Sequence, residues 1–344
     1  MLQFRIATPL SIVAFICEAF LVMLRIGRLI ILFAALLIDG ISGTYAKGEM
    51  DLCTRSDVQL DLDVWELSTR HLIDRPRSID ATVPRFRVHR FDGVCWQEKS
   101  IDEALKLDGR LPIIYVHGNF MAYDNARQRV LIIDDYLRAR THRAYRLFML
   151  SWPSQREPHP LQDIRENAAA SECQSLYMAW ILQQLGSEPQ VSVLGFSLGA
   201  RCVTGGMHLA SGGQIRGLQH NKSETAGDLH SIYRIGFIAP AIDRTWLAPS
   251  GKHHLAMQRI DSVVSLYNPE DPVLRRFRLV EAGANPIAAG YAGFLGNSLI
   301  RQYDCSNCVG RTHDERTYFR QCPYFGQVLD HLLWNESVGA CKTP

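Results

Sequence analysis

A serine between two glycines carries the clearest chemical signal in the sequence. The segment GFSLG at 195–199 joins the apolar, strand-like run 190–197 to a run of small residues typical of a helix. At such a strand-to-helix turn, the residues two before and two after the serine must lack a β-carbon so that the chain can pass. The hydroxyl of Ser197 then stands at the positive end of the helix, where an alkoxide or an oxyanion is stabilised. The segment predicts a nucleophile, and an ordinary turn serine is the alternative.

A nucleophilic serine needs backbone donors for the oxyanion of its tetrahedral intermediate. The segment YVHGNF at 115–120 ends another apolar run, and its glycine lets the chain turn and present the next N–H group. We therefore expect the N–H groups of Asn119 and Leu198 to form an oxyanion hole. His117 is interpreted as a structural part of this turn and not as the general base.

The carboxylate that orients the base is expected after the serine and before the histidine in chain order. Asp271 closes the run SVVSLYNPED at 262–271 and precedes a proline, which ends the strand and holds the loop. Asp243 lies one strand earlier and is a rival, and Glu270 is a weaker one. Asp271 is the preferred acid.

Two histidines follow the last expected strand and compete for the role of general base. His313 lies in a loop, in the segment CVGRTHDERTYF, whereas His331 lies inside the terminal helix, in FGQVLDHLLW. A catalytic imidazole must reach the serine from a loop above the strand ends. This requirement favours His313, with His331 as the alternative.

Apolar runs that alternate with helical patterns must position these side chains. Helical stretches are expected at 121–140, 161–186 and 322–334. The alternation predicts one α/β domain over residues 47–344, with a mostly parallel sheet, helices on both faces and function at the carboxyl ends of the strands. Loops or excursions are expected at 211–228 and 281–297. The expected strands are 63–72, 84–91, 111–118, 145–154, 190–197, 233–243, 262–271 and 299–304.

The first 46 residues differ in composition from the rest of the chain. Two apolar runs, at about 6–23 and 29–38, are separated by two arginines, and small residues follow the second run. This pattern is typical of a signal peptide, and a membrane anchor is the alternative. Because Glu18 lies within the first run and is costly in hydrocarbon, export with cleavage is preferred to anchoring. The protein is expected to be periplasmic or extracellular, or to associate with a membrane through residues 1–46.

Cysteine usage agrees with export. An even number of cysteines follows the leader, which in an exported chain indicates disulfides. Disulfides among Cys305, Cys308, Cys322 and Cys341 would hold the loop that carries His313. The spacing also matches the first three ligands of a zinc knuckle, with Cys322 as a fourth, and in this alternative His313 is a metal ligand. Disulfides are preferred.

Charge and composition exclude one class of partner. The formal net charge is +2, with acidic and basic residues interspersed along the chain. No basic face or tail is present that would bind a phosphate backbone, so nucleic acid is not an expected partner.

Several segments together resemble bacterial α/β-hydrolase-fold serine hydrolases of the esterase or lipase type. They are WELSTRHL, IIYVHGNF, LSWPSQ, VLGFSLGAR, FIAPAID and LYNPEDPVLR, followed by a late histidine before a terminal helix. The resemblance implies an α/β-hydrolase fold, a triad of Ser197, Asp271 and His313, and oxyanion donors at Asn119 and Leu198. The sequence departs from these relatives where DER stands between the histidine and the next aromatic residues.

These observations lead to one expected function and one alternative. The expected function is hydrolysis of an ester-type bond in a small-molecule or lipid-like substrate, through an acyl-enzyme intermediate. No metal or organic cofactor is expected. The alternative is a non-catalytic binding module of the same fold, exported or anchored, because a fold does not guarantee chemistry.

Overall fold

The apolar runs of the sequence form most strands of the nine-stranded sheet that the described residues contain. The computed structural model describes residues 62–72, 78–79, 84–154, 160–220, 230–281, 283 and 285–335. The predicted leader 1–46 and two of the cysteines, Cys53 and Cys341, lie outside the described residues.

The elements follow one another as strand and helix along most of the chain. The strands are β1 (Val64–Ser68), β2 (Ser78–Ile79), β3 (Arg87–Phe91), β4 (Trp96–Lys99), β5 (Leu111–Val116), β6 (Tyr145–Ser151), β7 (Gln190–Phe196), β8 (Gln214–Ile215), β9 (Leu218–His220), β10 (Ile232–Ile238), β11 (Ile260–Tyr267) and β12 (Ile300–Asp304). The α-helices are α1 (Ile101–Leu105), α2 (Tyr123–Arg138), α3 (Pro160–Gln184), α4 (Leu198–Ala210), α5 (Ala289–Ala292), α6 (Ser306–Val309), α7 (Glu315–Gln321) and α8 (Tyr324–Leu332). Two 3₁₀-helices span His254–Arg259 and Leu274–Leu279.

The strand order of the large sheet is β12-β11-β10-β7-β5-β6-β1-β3-β4. Only β3 runs against the other strands, since it pairs antiparallel with both β1 and β4. Every residue of β1, β5 and β6 is buried, which requires cover on both faces of the sheet. The predicted α/β fold with a mostly parallel sheet is confirmed.

Helices α3 and α4 pack against each other through two glycines of α4. A β-carbon at Gly205 would lie 2.2 Å from Ser175 Oγ, and one at Gly206 would lie 2.5 Å from Met178 Cγ. The absence of side chains at these positions therefore permits the close approach of the two helices. This approach fixes α4, which begins directly after Ser197.

Helices α2 and α8 form a second pair. The rings of Tyr136 and Phe325 meet nearly perpendicular, with centroids 5.5 Å apart. Gly236 of β10 allows α8 to pack closely against the sheet, because a β-carbon at this position would lie 2.6 Å from Val328 Cγ1. The sheet therefore lies between layers of helices, as the alternation of apolar runs predicts.

Two features of the fold were not predicted from the sequence. Strand β4 is mostly exposed and polar, so it lacks the apolar pattern of a buried strand. Strands β8 and β9 form a short antiparallel pair inside the segment expected to be a loop, and β2 joins them in a second sheet.

Among the described residues, no helix combines the length and the apolar character needed to cross a membrane.

Candidate active site

Ser197 lies in a strained turn between β7 and α4. Its backbone has φ 51° and ψ −120°, a conformation that non-glycine residues rarely adopt. A β-carbon at Gly195 would lie 3.0 Å from the Cα of Ala200, and one at Gly199 would lie 2.2 Å from the carbonyl oxygen of Val116. The two glycines are therefore required for the turn, as the sequence pattern predicts, and the hydroxyl is held at the carboxyl end of the sheet.

His313 contacts this serine from the loop between α6 and α7. Its Nε2 lies 2.8 Å from Ser197 Oγ, within hydrogen-bonding distance. The ring packs against Phe196 at a centroid distance of 5.3 Å, and only 16% of the side chain is exposed. A loop above the strand ends thus brings the imidazole to the serine hydroxyl.

Asp271 holds the other ring nitrogen of this histidine. Its Oδ2 lies 2.5 Å from His313 Nδ1, and the carboxylate is fully buried after the end of β11. The second oxygen, Oδ1, accepts hydrogen bonds from the N–H groups of Val273 and Leu274, at 2.8 and 2.9 Å. These two backbone donors fix the carboxylate and leave Oδ2 for the imidazole.

The three side chains form one continuous hydrogen-bonded series. The carboxylate of Asp271 can only accept, so the proton of His313 lies on Nδ1 and Nε2 is left as the acceptor for the hydroxyl of Ser197. In this tautomer the imidazole can take a proton from the serine as its oxygen attacks a carbonyl carbon. The structure therefore brings together the serine, the acid and the base that the sequence singled out.

Asn268 is a further residue of the site, which sequence reasoning did not identify. It is fully buried after β11, and its amide donates to the carbonyl oxygens of Gly310 and Thr312 at 2.8 and 3.3 Å. Its Oδ1 accepts the N–H of Glu270 at 2.9 Å. Asn268 thus ties the loop that carries the acid to the loop that carries the base. The available sequence signal was a polar amide directly after an apolar strand.

The turn after β5 lies against the serine. A β-carbon at Gly118 would lie 2.7 Å from Phe196 Cδ1 and 3.0 Å from Ser197 Cβ, so only glycine allows this approach. Asn119 follows that glycine directly. Leu198 is the first residue of α4, and the N–H groups in the first turn of a helix have no partner within the helix. Both predicted oxyanion donors therefore lie in segments that border the serine.

No protein-family model and no curated protein matches the sequence. Among solved structures, the chain is similar to a thermophilic esterase from the Planctomycetes species Thermogutta terrifontis with butyrate bound, at 12% identity over 68% of this chain and 86% of that chain, with a TM-score of 0.33.

The chain is similar in the same way to Thermogutta terrifontis esterase 2 phosphorylated by paraoxon, at 11% identity over 64% of this chain and 79% of that chain, with a TM-score of 0.29. At such TM-scores the overall likeness carries no argument about activity. The chemistry is therefore argued from the geometry of the site.

His117 belongs to the turn after β5 and not to the hydrogen-bonded series. Its Nδ1–H donates to the carbonyl oxygen of Gly118 at 2.8 Å, and its Nε2 accepts the backbone N–H of Trp152 at 3.1 Å. Burial, followed by the nearby charge of Arg70, holds the pKa of His117 well below its usual value. The ring is thus neutral and occupied by structural hydrogen bonds.

His331 lies at the opposite end of the sheet. Its Nε2 lies 3.1 Å from the carbonyl oxygen of Ser262, near the amino end of β11. Burial lowers the pKa of His331 to about 4. Because Ser197 follows the carboxyl end of its strand, the structure does not bring His331 to the serine.

The rival carboxylates are likewise separate from the imidazole. Asp243 Oδ1 accepts the N–H and the hydroxyl of Thr245, at 2.9 and 2.6 Å, and Oδ2 accepts the N–H of Ile287 at 2.8 Å. Both of its oxygens therefore serve a loop. Glu270 is exposed beside Asp271 and makes no hydrogen bond to His313.

The cysteines differ from the disulfide prediction. The six described cysteines are free thiols, and the sulfurs of Cys305 and Cys322 lie 3.1 Å apart, well beyond the ~2.05 Å of a disulfide bond. Because both ring nitrogens of His313 already have partners, the zinc-knuckle alternative with His313 as a ligand does not fit the geometry either. Cys341 lies outside the described residues.

Proposed function

We propose that the protein is a serine hydrolase that cleaves ester-type acyl bonds through an acyl-enzyme intermediate on Ser197. The observation that carries the proposal is the hydrogen-bonded series from the buried Asp271 through His313 to the serine hydroxyl. A hydroxyl placed on an imidazole in this way, at a strained turn at the end of a sheet, has the geometry of an activated nucleophile.

In the proposed acylation, Ser197 Oγ attacks the carbonyl carbon of the ester while its proton passes to His313 Nε2. The negative charge that develops on the carbonyl oxygen is stabilised by the N–H groups of Asn119 and Leu198. The intermediate then expels the alcohol, which takes the proton back from Nε2 as the carbon–oxygen bond breaks. Asp271 stabilises the imidazolium during both steps.

Deacylation repeats these steps with water. His313 takes a proton from a water molecule, whose oxygen attacks the acyl carbon, and then returns a proton to Ser197 as the acid leaves. We expect a small-molecule or lipid-like ester as the substrate. Amide or thioester cleavage would follow the same course with a different leaving group.

The proposal is tested by pre-steady-state hydrolysis of p-nitrophenyl acetate and butyrate. We expect a burst of nitrophenol stoichiometric with the protein, followed by slower turnover, because acylation and deacylation are separate steps. Ser197→Ala should abolish the burst. Ser231→Ala is a matched control, since Ser231 is also a buried serine but only donates to the carbonyl oxygen of Leu185. A burst that persists in Ser197→Ala would contradict the proposal.

We also propose that residues 1–46 direct the chain out of the cytoplasm, as a signal peptide or as an anchor, leaving residues 47–344 as the hydrolase domain. The support is the pair of apolar runs, separated by arginines, at the start of the sequence. Fractionation and N-terminal sequencing of the mature protein test this. A new N-terminus near residue 47 indicates cleavage, an intact membrane-bound chain indicates an anchor, and an intact soluble cytoplasmic chain contradicts both.

A further inference from the structure

Three thiols gather beside the loop that carries His313. The sulfurs of Cys305, Cys308 and Cys322 all lie within 4.8 Å of one another, although Cys322 is 17 residues after Cys305 in the chain. Cys305 and Cys322 are buried, whereas Cys308 is only half-buried. The proposed hydrolysis mechanism uses none of the three.

The spacing of the sulfurs matches metal ligation better than disulfide formation. In a tetrahedral zinc site with Zn–S bonds of about 2.3 Å, neighbouring sulfurs are about 3.8 Å apart. In the cluster, the sulfurs of Cys305 and Cys322 are 3.1 Å apart and no two of the three sulfurs are more than 4.8 Å apart, so the observed distances span this value. Three convergent sulfurs are also one more than a disulfide can use. Soft thiolate ligands of this kind favour zinc over harder divalent ions.

We propose that Cys305, Cys308 and Cys322 bind one zinc ion as three thiolates. Each thiol gives up its proton to solvent on binding. A water molecule would complete the four-coordinate geometry that zinc prefers. His313 is not a ligand, because its two nitrogens bond the acid and the serine.

The position of the site gives it a role in holding the base loop. Cys305 directly precedes α6, Cys308 lies within it, and Cys322 directly follows α7, so the ion would join the chain on either side of His313. The metal would therefore restrict the movement of this loop relative to Asp271 and Ser197. This consequence rests on the proposed hydrolase function, whereas the binding of the ion does not.

Cobalt and zinc binding to the untagged full-length chain, reduced and stripped of metal, tests the proposal. We expect Co²⁺ to give a thiolate-to-cobalt charge-transfer band that saturates at one equivalent, and Zn²⁺ to abolish it. Cys322→Ser should lose the band, and the exposed Cys95 provides the matched control Cys95→Ser, which should keep it. Absence of a saturable band in the reduced wild type would overturn the proposal.

A second measurement uses only the wild type, in case Cys322→Ser does not fold. Alkylation of the native protein, mapped by mass spectrometry, should spare Cys305, Cys308 and Cys322 when Zn²⁺ is present and modify the accessible Cys308 when it is removed. Cys95 should react in both conditions. Equal labelling with and without Zn²⁺, or a Cys305–Cys322 disulfide in the protein as purified, would contradict the site. Neither result depends on esterase activity, so each is distinguishable from a failure of the proposed function.

Discussion

The two ends of the sheet each hold a late histidine, and the two histidines have opposite environments. At the carboxyl end, His313 has a carboxylate on one nitrogen and the hydroxyl of Ser197 on the other. At the amino end, His331 bonds the carbonyl oxygen of Ser262 from within a helix, and burial holds its pKa near 4. A reactive imidazole therefore needs both a partner for each nitrogen and a place above the strand ends.

The two candidate acids show the same contrast within one end of the sheet. Asp243 and Asp271 follow the neighbouring strands β10 and β11. Asp243 uses one oxygen for its own loop and the other for the N–H of Ile287 in a different loop, whereas Asp271 uses one oxygen for its loop and presents the other to His313. The difference shows that a carboxylate orients a base only if its loop leaves one oxygen free.

The largest expected effect separates the two histidines. His313→Ala should lower kcat for p-nitrophenyl ester hydrolysis by about 10⁶-fold, because the serine loses its base. His331→Ala should change kcat by less than about tenfold, since it lies at the other end of the sheet. Steady-state kinetics on both variants, with circular dichroism to confirm folding, make the comparison. Similar losses in the two variants would contradict the assignment of the base.

The two acids should differ by a smaller factor. Asp271→Asn should lower kcat by about 10⁴-fold, because an amide nitrogen cannot accept the Nδ1–H of His313 and favours the wrong tautomer. Asp243→Asn should leave kcat within a few-fold of wild type and reduce the thermal midpoint instead, since Asp243 accepts two hydrogen bonds from Thr245 and one from Ile287 in a different loop. If Asp243→Asn shows the larger kinetic loss, the two roles are reversed.

Two glycine substitutions compare the stability cost of an added β-carbon in the turn at Ser197 with the cost at an open position. Gly199→Ala should destabilise the fold by about 3 kcal/mol, because the added β-carbon meets the carbonyl oxygen of Val116 at 2.2 Å. Gly296→Ala should be neutral to within about 0.5 kcal/mol, since nothing lies within 4 Å of its β-carbon position. Urea unfolding measures both. Equal stability of the two variants would mean that the turn at Ser197 relaxes without cost.

The smallest expected effect concerns His331 and pH. Because its pKa is about 4 in the folded protein and 6.5 ordinarily, the unfolded chain takes up the proton first as the pH falls. Its contribution to stability is therefore complete above pH 6.5 and is lost as the pH falls toward 4. The free energy of unfolding of the wild type should therefore fall between pH 7 and pH 4.5. In His331→Gln this fall should be smaller by about 2 kcal/mol, allowing for partial exposure of the ring. Unfolding free energies at pH 7 and pH 4.5 test this, and an unchanged pH dependence would contradict it.

Much of the candidate site around Ser197 could be predicted from sequence because its constraints are local. The glycines around Ser197 are required by one turn, and the inner strands are continuous apolar runs because both faces of the sheet are covered. Ser197, Asp271 and His313 meet because the strands before them end at the same edge of a parallel sheet.

What could not be predicted depends on contacts between distant segments. Asn268 joins two loops that are more than 40 residues apart in the chain, and no local pattern marks this bond. The cluster of three thiols is visible as spacing, but only the packing of α6 against the end of α7 shows which side chains meet. Strand β4 was missed because an exposed edge strand needs no apolar pattern.

Fluorophosphonate labelling of the purified protein, with mass-spectrometric mapping of the modified residue, tests whether Ser197 is an activated nucleophile. We expect stoichiometric labelling of Ser197, abolished in Ser197→Ala and in His313→Ala and retained in His331→Ala. Folded wild-type protein that is not labelled, or is labelled at another residue, would contradict the claim and favour a non-catalytic binding module with this fold.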